Sequence, residues 1–277
     1  MKPVRFDYER PTDLAAAAAA GRRDDVAVKF LAGGQSLGPM LNLRLAEPDL
    51  VVDITGIAEL KRVEEKPDSV VLGSCITHAD IEDGRVPDVT NGALRKVASG
   101  IAYRAVRNRG TIGGSLAHAD PAADWIAALS AAGASVIVHD GRGARRVPVE
   151  DFIVGVFETV LAAGELVTGV EIPRRSRAAR WGYYKVCRKT GEFAHAIGVF
   201  VHDPERSFCR AVVGAAGARP IVLADADKLF NGRIGSPDVL NIALVRDAMS
   251  ANGMADPIDQ KIHVAALRRA VAEAQAS

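Results

Sequence analysis

Cysteine is scarce in this sequence: Cys75, Cys187 and Cys209 are the only three among 277 residues. They lie far apart and none forms a C-x-x-C pair, which argues against a zinc site or an iron–sulfur cluster bound by this chain alone. Three isolated cysteines also give no disulfide framework, and reduced thiols are typical of cytoplasmic proteins. We therefore expect a cytoplasmic protein without a metal site of its own.

An excess of one charge and long apolar runs are also missing. Lysine and arginine number 35 and aspartate and glutamate 34, so the chain has no electrostatic footprint for nucleic acid. No uncharged apolar run approaches the roughly 18 residues that span a bilayer, and the first residues contain no apolar signal core. We expect neither a nucleic-acid partner nor a membrane partner.

Recognisable catalytic patterns are absent too. The sequence has no clustered metal-binding histidines, no serine on a nucleophile elbow with histidine and aspartate partners, and no paired catalytic carboxylates. We therefore assign no catalytic residue and no metal ligand. His78 is interpreted as a satisfied, partly buried imidazole without a role.

Glycine is plentiful, and two glycine-rich turns stand out: residues 32–37 (AGGQSL) and residues 111–116 (TIGGSL). Glycine tolerates positive φ, so successive N–H groups of such a turn can point into one concavity that binds phosphate oxygens. Neither turn has the G-x-G-x-x-G spacing of a Rossmann fingerprint, and no P-loop is present. We predict that the two turns hold a diphosphate from two sides through N–H groups and hydroxyls. The alternative, that each turn only closes a tight loop, stays open at this point.

Short apolar runs predict strands along much of the chain. Three of them, at 181–187, 195–202 and 208–214, precede two predicted helices and indicate an α+β region at the C-terminal end. The spacing of Leu94, Val97, Ala98 and Ile101 predicts one helix over 91–105. Three further features are predicted from local sequence: a hairpin at 135–149 around Asp140-Gly141, a helix that begins at Asp120-Pro121, and a solvated basic linker at 174–180.

The two turns also carry a family resemblance. Residues 32–37, with LRLA at 43–46, resemble the first flavin loop of the FAD-binding subunits of molybdenum hydroxylases. Residues 107–124 (RNRGTIGGSLAHADPAAD) resemble the second loop of that family almost continuously. The family includes the medium chain of aerobic carbon monoxide dehydrogenase and the flavin domain of xanthine dehydrogenase. The likeness runs the length of the chain, through Lys185 and Arg188-Lys189 to residues 214–220.

The resemblance implies an α+β fold. A two-part FAD-binding domain of the vanillyl-alcohol-oxidase-like (PCMH) type would cover residues 1–175, with subdomains at about 1–55 and 56–175. A smaller α+β C-terminal domain, like that of carbon monoxide dehydrogenase flavoproteins, would cover residues 176–277.

It also implies a set of FAD-binding residues. Both turns would line the diphosphate, Asp124 would accept hydrogen bonds from ribose hydroxyls of the ADP half, and His118 would lie near the second loop. Lys185 and Val167 would approach the flavin, and Phe193 would lie against the isoalloxazine ring. The full set is Ala32, Gly33, Gly34, Gln35, Ser36, Leu37, Thr111, Ile112, Gly113, Gly114, Ser115, His118, Asp124, Val167, Lys185 and Phe193.

The implied function is that of an FAD-binding electron-transfer subunit in a molybdenum hydroxylase complex. Electrons would come from [2Fe-2S] clusters on a small partner subunit, which receives them from a molybdopterin centre on a large partner, and would leave through FAD to an acceptor such as NAD. Two alternatives stay open: a self-contained flavin-dependent oxidase or reductase, and a non-enzymatic module that holds a nucleotide for assembly. The substrate would bind to the large partner, so this sequence does not name it.

Overall fold

The computed structural model describes residues 2–276. The first sheet has three parallel strands, with the fully buried β3 (Leu50–Asp53) between β1 (Asp7–Glu9) and β2 (Val28–Leu31). Helix α1 (Leu14–Gly21) leads from β1 to β2, and α2 (Leu37–Asn42) leads from β2 to β3. The first glycine turn therefore forms the connection from β2 to α2.

The second sheet is antiparallel and contains five strands in the order β4-β5-β10-β6-β7. These strands are β4 (Val63–Glu65), β5 (Ser69–Gly73), β6 (Ser135–His139), β7 (Ala144–Pro148) and β10 (Leu166–Pro173). The predicted hairpin is confirmed as β6 and β7, joined where Asp140 Oδ1 accepts hydrogen bonds from the N–H groups of Arg142 and Gly143. A two-stranded ribbon of β8 (Ile153–Gly155) and β9 (Glu158–Thr159) follows.

Six helices belong to this middle region, and most are short. They are α3 (His78–Glu82), α4 (Ala93–Ser99), α5 (Arg104–Arg107), α6 (Ile112–His118), α7 (Asp124–Ala132) and α8 (Val149–Phe152). Every residue of α7 is buried. Its apolar side chains share one core with the second sheet and with the third sheet that follows.

The third sheet is antiparallel, in the order β11-β12-β13-β14. Its strands are β11 (Arg180–Val186), β12 (Ala196–Asp203), β13 (Phe208–Gly214) and β14 (Ile221–Leu223), followed by the helices α9 (Ile242–Ala251) and α10 (Pro257–Ala276). Gly182 and Gly198 let α10 pack closely, because a Cβ on either would meet the α10 backbone within 2.5 Å. Short 3-10 helices lie at Ile54–Gly56, Ala58–Lys61, Pro204–Arg206, Ala226–Leu229 and Pro237–Val239. The predicted α+β fold is confirmed.

Three local predictions are wrong. The single helix predicted over 91–105 is two helices, because α4 ends at Ser99 and Ala102 adopts a left-handed φ of 42° before α5 begins. Asp120 does not begin a helix: its Oδ1 accepts the N–H of Ala122 in a tight turn, and α7 begins at Asp124.

The stretch at 174–180 is not a solvated linker throughout. Arg175 is only 9% exposed. Its guanidinium lies 3.4 Å from the centre of the Phe208 ring and donates a hydrogen bond to the carbonyl of Ala132. The start of this stretch therefore packs against α7 and β13, where a cation can be buried because an aromatic face and a carbonyl compensate it.

None of the helices within residues 2–276 is long and apolar enough to cross a membrane.

Candidate functional site

The two glycine turns, far apart in the sequence, touch each other in the fold. A Cβ on Gly33 would lie 2.1 Å from the carbonyl oxygen of Arg109 and 2.8 Å from the α-carbon of Gly110, just before the second turn. A Cβ on Gly114 would lie 3.6 Å from the Cβ of Ala32. Glycine is required at position 33 because any side chain would collide with backbone.

A cavity of about 510 Å³ opens where the turns meet. Most of the predicted FAD-binding residues line it, although they come from the turn between β2 and α2, from α6, α7 and β10, and from the loop after β11. The lining members are Ala32, Gly33, Gly34, Gln35, Ser36, Leu37, Thr111, Gly113, Gly114, Ser115, His118, Asp124, Val167 and Phe193. Whether they contact FAD stays a prediction.

The N–H groups of the two turns differ in a way that the sequence did not indicate. In the second turn, all four N–H groups from Ile112 to Ser115 are bonded within the chain, to Ile76 O, Ser74 O, Thr111 Oγ1 and Thr111 O. In the first turn, the N–H groups at 33–36 form no hydrogen bond with any described residue. The expectation that free N–H groups point into the cavity from both sides is therefore wrong for the second turn.

Asp124 lies on the cavity wall at the start of α7, in a buried ionic contact. Its Oδ1 is 2.8 Å from Lys185 Nζ and accepts a hydrogen bond of 2.5 Å from the Tyr183 hydroxyl. Lys185 also donates to the carbonyl of Gly100. Burial raises the pKa of Asp124, while Lys185 and Tyr183 oppose that rise. Two residues of β11 thus connect the third sheet to Asp124 in the cavity wall.

Ile112 and Lys185 do not line the cavity. Ile112 is fully buried in the core beneath the second turn. Lys185 lies behind Asp124, and both side chains are 8% exposed. These two predicted residues therefore support the wall of the site from behind.

The predicted aromatic and imidazole residues lie at the cavity edge. Phe193 is 65% exposed. The His118 ring packs against Phe157, with 5.0 Å between ring centres. Phe157 has a left-handed φ of 58°, which is rare for a bulky residue. Its N–H donates to the carbonyl of Ala119.

Several lining residues were missed by the sequence analysis. Ile101 and Gly191 form an isolated parallel bridge, which brings the segments around Tyr103 and Glu192 to the cavity. No local pattern predicts such a pairing. The other missed residues that line the cavity are Lys29, Phe30, Met40, Ile54, Ser74, His78, Ala102, Val106, Gly110, Ala117, Asp120, Ala123, Leu161, Glu165 and Leu166. No group of three or more His, Cys, Asp or Glu within residues 2–276 is arranged to hold a metal ion.

Comparison with known proteins identifies this arrangement. Residues 4–175 match the family described as "FAD binding domain in molybdopterin dehydrogenase". The chain is 33% identical over 285 residues to caffeine dehydrogenase subunit beta of Pseudomonas sp. (strain CBB1), covering 99% of this chain and 96% of that one. It is 31% identical over 289 residues to the carbon monoxide dehydrogenase medium chain of Afipia carboxidovorans, covering 100% and 99%.

The chain belongs to this family. It is a medium, FAD-binding subunit of the molybdenum hydroxylases, and its relatives are subunits of oxidoreductases. The fold agrees along the whole subunit. A chain in the structure of carbon monoxide dehydrogenase from Hydrogenophaga pseudoflava matches with a TM-score of 0.86 at 29% identity, covering 100% of this subunit and 99% of that chain. A chain of quinoline 2-oxidoreductase from Pseudomonas putida 86 matches with a TM-score of 0.86 at 28% identity, covering 99% and 98%.

Lys185 and Tyr183 lie outside the residues matched by the family model. The contact of this FAD-binding subunit's Asp124 with β11 therefore joins the matched region to the region that follows it.

Proposed function

We propose that this subunit binds FAD in the cavity between the two glycine turns and passes electrons from iron–sulfur clusters of a partner subunit through FAD to a terminal acceptor. The observation that carries the proposal is the direct contact of Gly33 with Arg109 and Gly110, beside N–H groups at 33–36 that have no acceptor among residues 2–276. The cavity volume also suits a cofactor, since such sites occupy roughly 300–1,000 Å³.

The first turn is the proposed diphosphate site. A row of N–H groups that lack protein acceptors binds an anion well, and the absence of a side chain at Gly33 and Gly34 lets phosphate oxygens come close. The N–H groups of the second turn already donate hydrogen bonds within the chain. We therefore propose that this turn contributes the Ser115 hydroxyl as a hydrogen-bonding group and shapes the cavity wall.

The remaining predicted residues fit the two ends of the dinucleotide. Asp124 offers a carboxylate acceptor that suits ribose hydroxyls. Val167 and Phe193 offer apolar surface that suits the isoalloxazine ring. For Ile112 and Lys185 we propose indirect roles, since Ile112 anchors the second turn in the core and Lys185 holds the Asp124 carboxylate. When bound, FAD supplies the redox chemistry, whereas the chain supplies binding and orientation.

The likeness to proteins that are named as a subunit and as a medium chain supports the existence of partner subunits. We propose a small subunit that carries [2Fe-2S] clusters and a large subunit that carries molybdopterin and binds the substrate, with NAD as one candidate acceptor.

We also propose a domain division at residue 175, with subdomains at about 1–55 and 56–175. The match to residues 4–175 and the separate sheets within 7–53, 63–173 and 180–223 support this division.

Cofactor analysis tests the binding step. The full chain is purified, denatured, and its released cofactor compared by chromatography with FAD and FMN standards, and the apoprotein is then titrated with FAD by flavin fluorescence. We expect one FAD per chain. An apoprotein that does not bind FAD refutes the proposal.

The electron route is tested with the FAD-loaded chain. We expect reduction by NADH or by a co-purifying iron–sulfur subunit. Turnover of an organic substrate by the isolated chain would instead support the self-contained flavin oxidase or reductase.

A further inference from the structure

His78 lies directly beneath the junction of the two turns. It is the first residue of α3, whose N-cap Thr77 exchanges hydrogen bonds with Asp80 in a capping box. The N–H of His78 donates to the carbonyl of Gly110 over 2.9 Å, and a Cβ on Gly110 would lie 2.9 Å from the imidazole Cδ2 and Nε2. His78 is 5% exposed and lines the cavity. Gly33, Gly110 and His78 therefore form a continuous stack.

The proton of this imidazole has a fixed position. Trp125 Nε1–H donates a hydrogen bond of 3.0 Å to His78 Nδ1. Because an indole N–H is only a donor, Nδ1 must be an acceptor without a proton. Burial, aided by the charge of Arg107, lowers the pKa of His78 to about 4, so the ring is neutral at physiological pH. A neutral ring with a bare Nδ1 carries its proton on Nε2.

Nε2 has no hydrogen-bond partner among residues 2–276. His78 is only 5% exposed, yet Nε2 is not one of the fully buried unpaired atoms and therefore faces open space. A donor in such a nearly enclosed position usually bonds to a ligand or an ordered water. His78 lines the cavity between the two turns, so that cavity is open space beside the imidazole. The imidazole is thus a hydrogen-bond donor with a fixed tautomer. Its acceptor must belong to a molecule that occupies the cavity.

We propose that His78 Nε2–H donates a hydrogen bond to a diphosphate oxygen of FAD, and that Trp125 is a positioning residue that fixes the tautomer. This inference rests on the proposed function. It assigns the diphosphate rather than the flavin ring because His78 lies under Gly110, which touches the first turn. It also supplies a donor on the side of the site where the N–H groups of the second turn are already bonded.

Two substitutions isolate the donor. His78→Gln keeps a side-chain N–H near the position of Nε2, whereas His78→Leu removes it, and both lose the imidazole that faces Trp125. We expect the Kd for FAD to be at least about tenfold weaker in His78→Leu than in His78→Gln, because a hydrogen bond to a charged group is lost. Thermal unfolding of the two apoproteins checks that both are folded. Equal Kd values in two folded variants refute the inference, whereas failure of the wild-type chain to bind FAD refutes the proposed function instead.

Nitrogen NMR on the wild-type chain gives a second, mutation-free measurement. With ¹⁵N-labelled histidine, we expect His78 to show a protonated Nε2 and a bare Nδ1, and the Nε2–H resonance to shift when FAD is added. Addition of ADP, which carries a diphosphate without a flavin, should shift the same resonance. A proton on Nδ1, or a resonance that FAD moves and saturating ADP leaves in place, overturns the assignment.

Discussion

Lys185 Nζ lies 2.8 Å from Asp124 Oδ1, and the two side chains are each only 8% exposed. One comes from β11 and the other from the first turn of α7, so the pair joins the third sheet to the wall of the cavity. A buried pair of this kind is costly to disrupt, because removal of one partner leaves the other as an uncompensated buried charge.

Lys185→Met should therefore destabilise the apoprotein by about 3 kcal/mol or more. The substitution leaves Asp124 without its cation, and desolvation should then raise the pKa of this carboxyl further. Urea unfolding of the apoprotein at neutral pH measures the effect. The double variant Asp124→Asn with Lys185→Met is the control and should recover much of the loss, since no charge is left unpaired. A double variant as unstable as the single one would show that lost packing, and not an unpaired charge, causes the loss of stability.

Gly33→Ala should abolish FAD retention, because the new Cβ would meet Arg109 O at 2.1 Å and push the two turns apart. The forced shift should also lower stability by about 1–3 kcal/mol. Gly38→Ala is a matched control five residues along, in α2, where nothing lies within 4 Å of the new Cβ. The ratio of flavin to protein absorbance after purification reports both variants. Full flavin content in Gly33→Ala would show that the first turn is not part of the FAD site.

The low pKa of His78 predicts acid sensitivity. The folded-state value of about 4 lies below the ordinary 6.5, so between these values the unfolded chain binds the proton and the folded chain does not. Stability should therefore be complete above pH 6.5 and fall as the pH drops towards 4. The free energy of unfolding that this group contributes above pH 6.5, and that is lost by pH 4, is about 3 kcal/mol.

His78→Gln removes this titration and leaves the other acid-sensitive groups in place. The wild-type free energy of unfolding should thus fall more steeply than that of the variant between pH 6.5 and 4 in parallel urea titrations. Parallel curves would mean that the imidazole titrates normally.

Sequence reasoning succeeded where one local signal decides the structure. Asp140-Gly141 marked the β6–β7 hairpin, and the two glycine turns marked the cavity, because turn geometry depends on the residues of the turn itself. It failed where a contact with a distant segment decides whether a group is free or hydrogen-bonded. Whether the Gly113 N–H is free depends on the carbonyl of Ser74, and no local pattern indicates that Lys185 bonds to Asp124. His78 was interpreted as a satisfied imidazole without a role, because its contacts with Trp125 and Gly110 are made with residues distant in the sequence.

Two buried serines should tolerate the loss of their hydroxyl groups. Ser74 lines the cavity and Ser130 lies in α7, and the hydroxyl of each lacks a hydrogen-bond partner within residues 2–276. The neighbouring Cys75 thiol does not replace such a partner, because burial raises its pKa to about 11 and a protonated thiol is only a weak donor and acceptor. A buried hydroxyl without a partner costs about 1–3 kcal/mol of desolvation, so Ser74→Ala and Ser130→Ala should each leave the apoprotein as stable as the wild type or more so. Only Ser74 adjoins the cavity, so Ser130→Ala should also leave the Kd for FAD unchanged. Thermal unfolding measures the stability of both apoproteins, and FAD titration measures their Kd values. A marked loss of apoprotein stability in Ser74→Ala would contradict the prediction and reveal a hydrogen bond that the hydroxyl makes inside the fold.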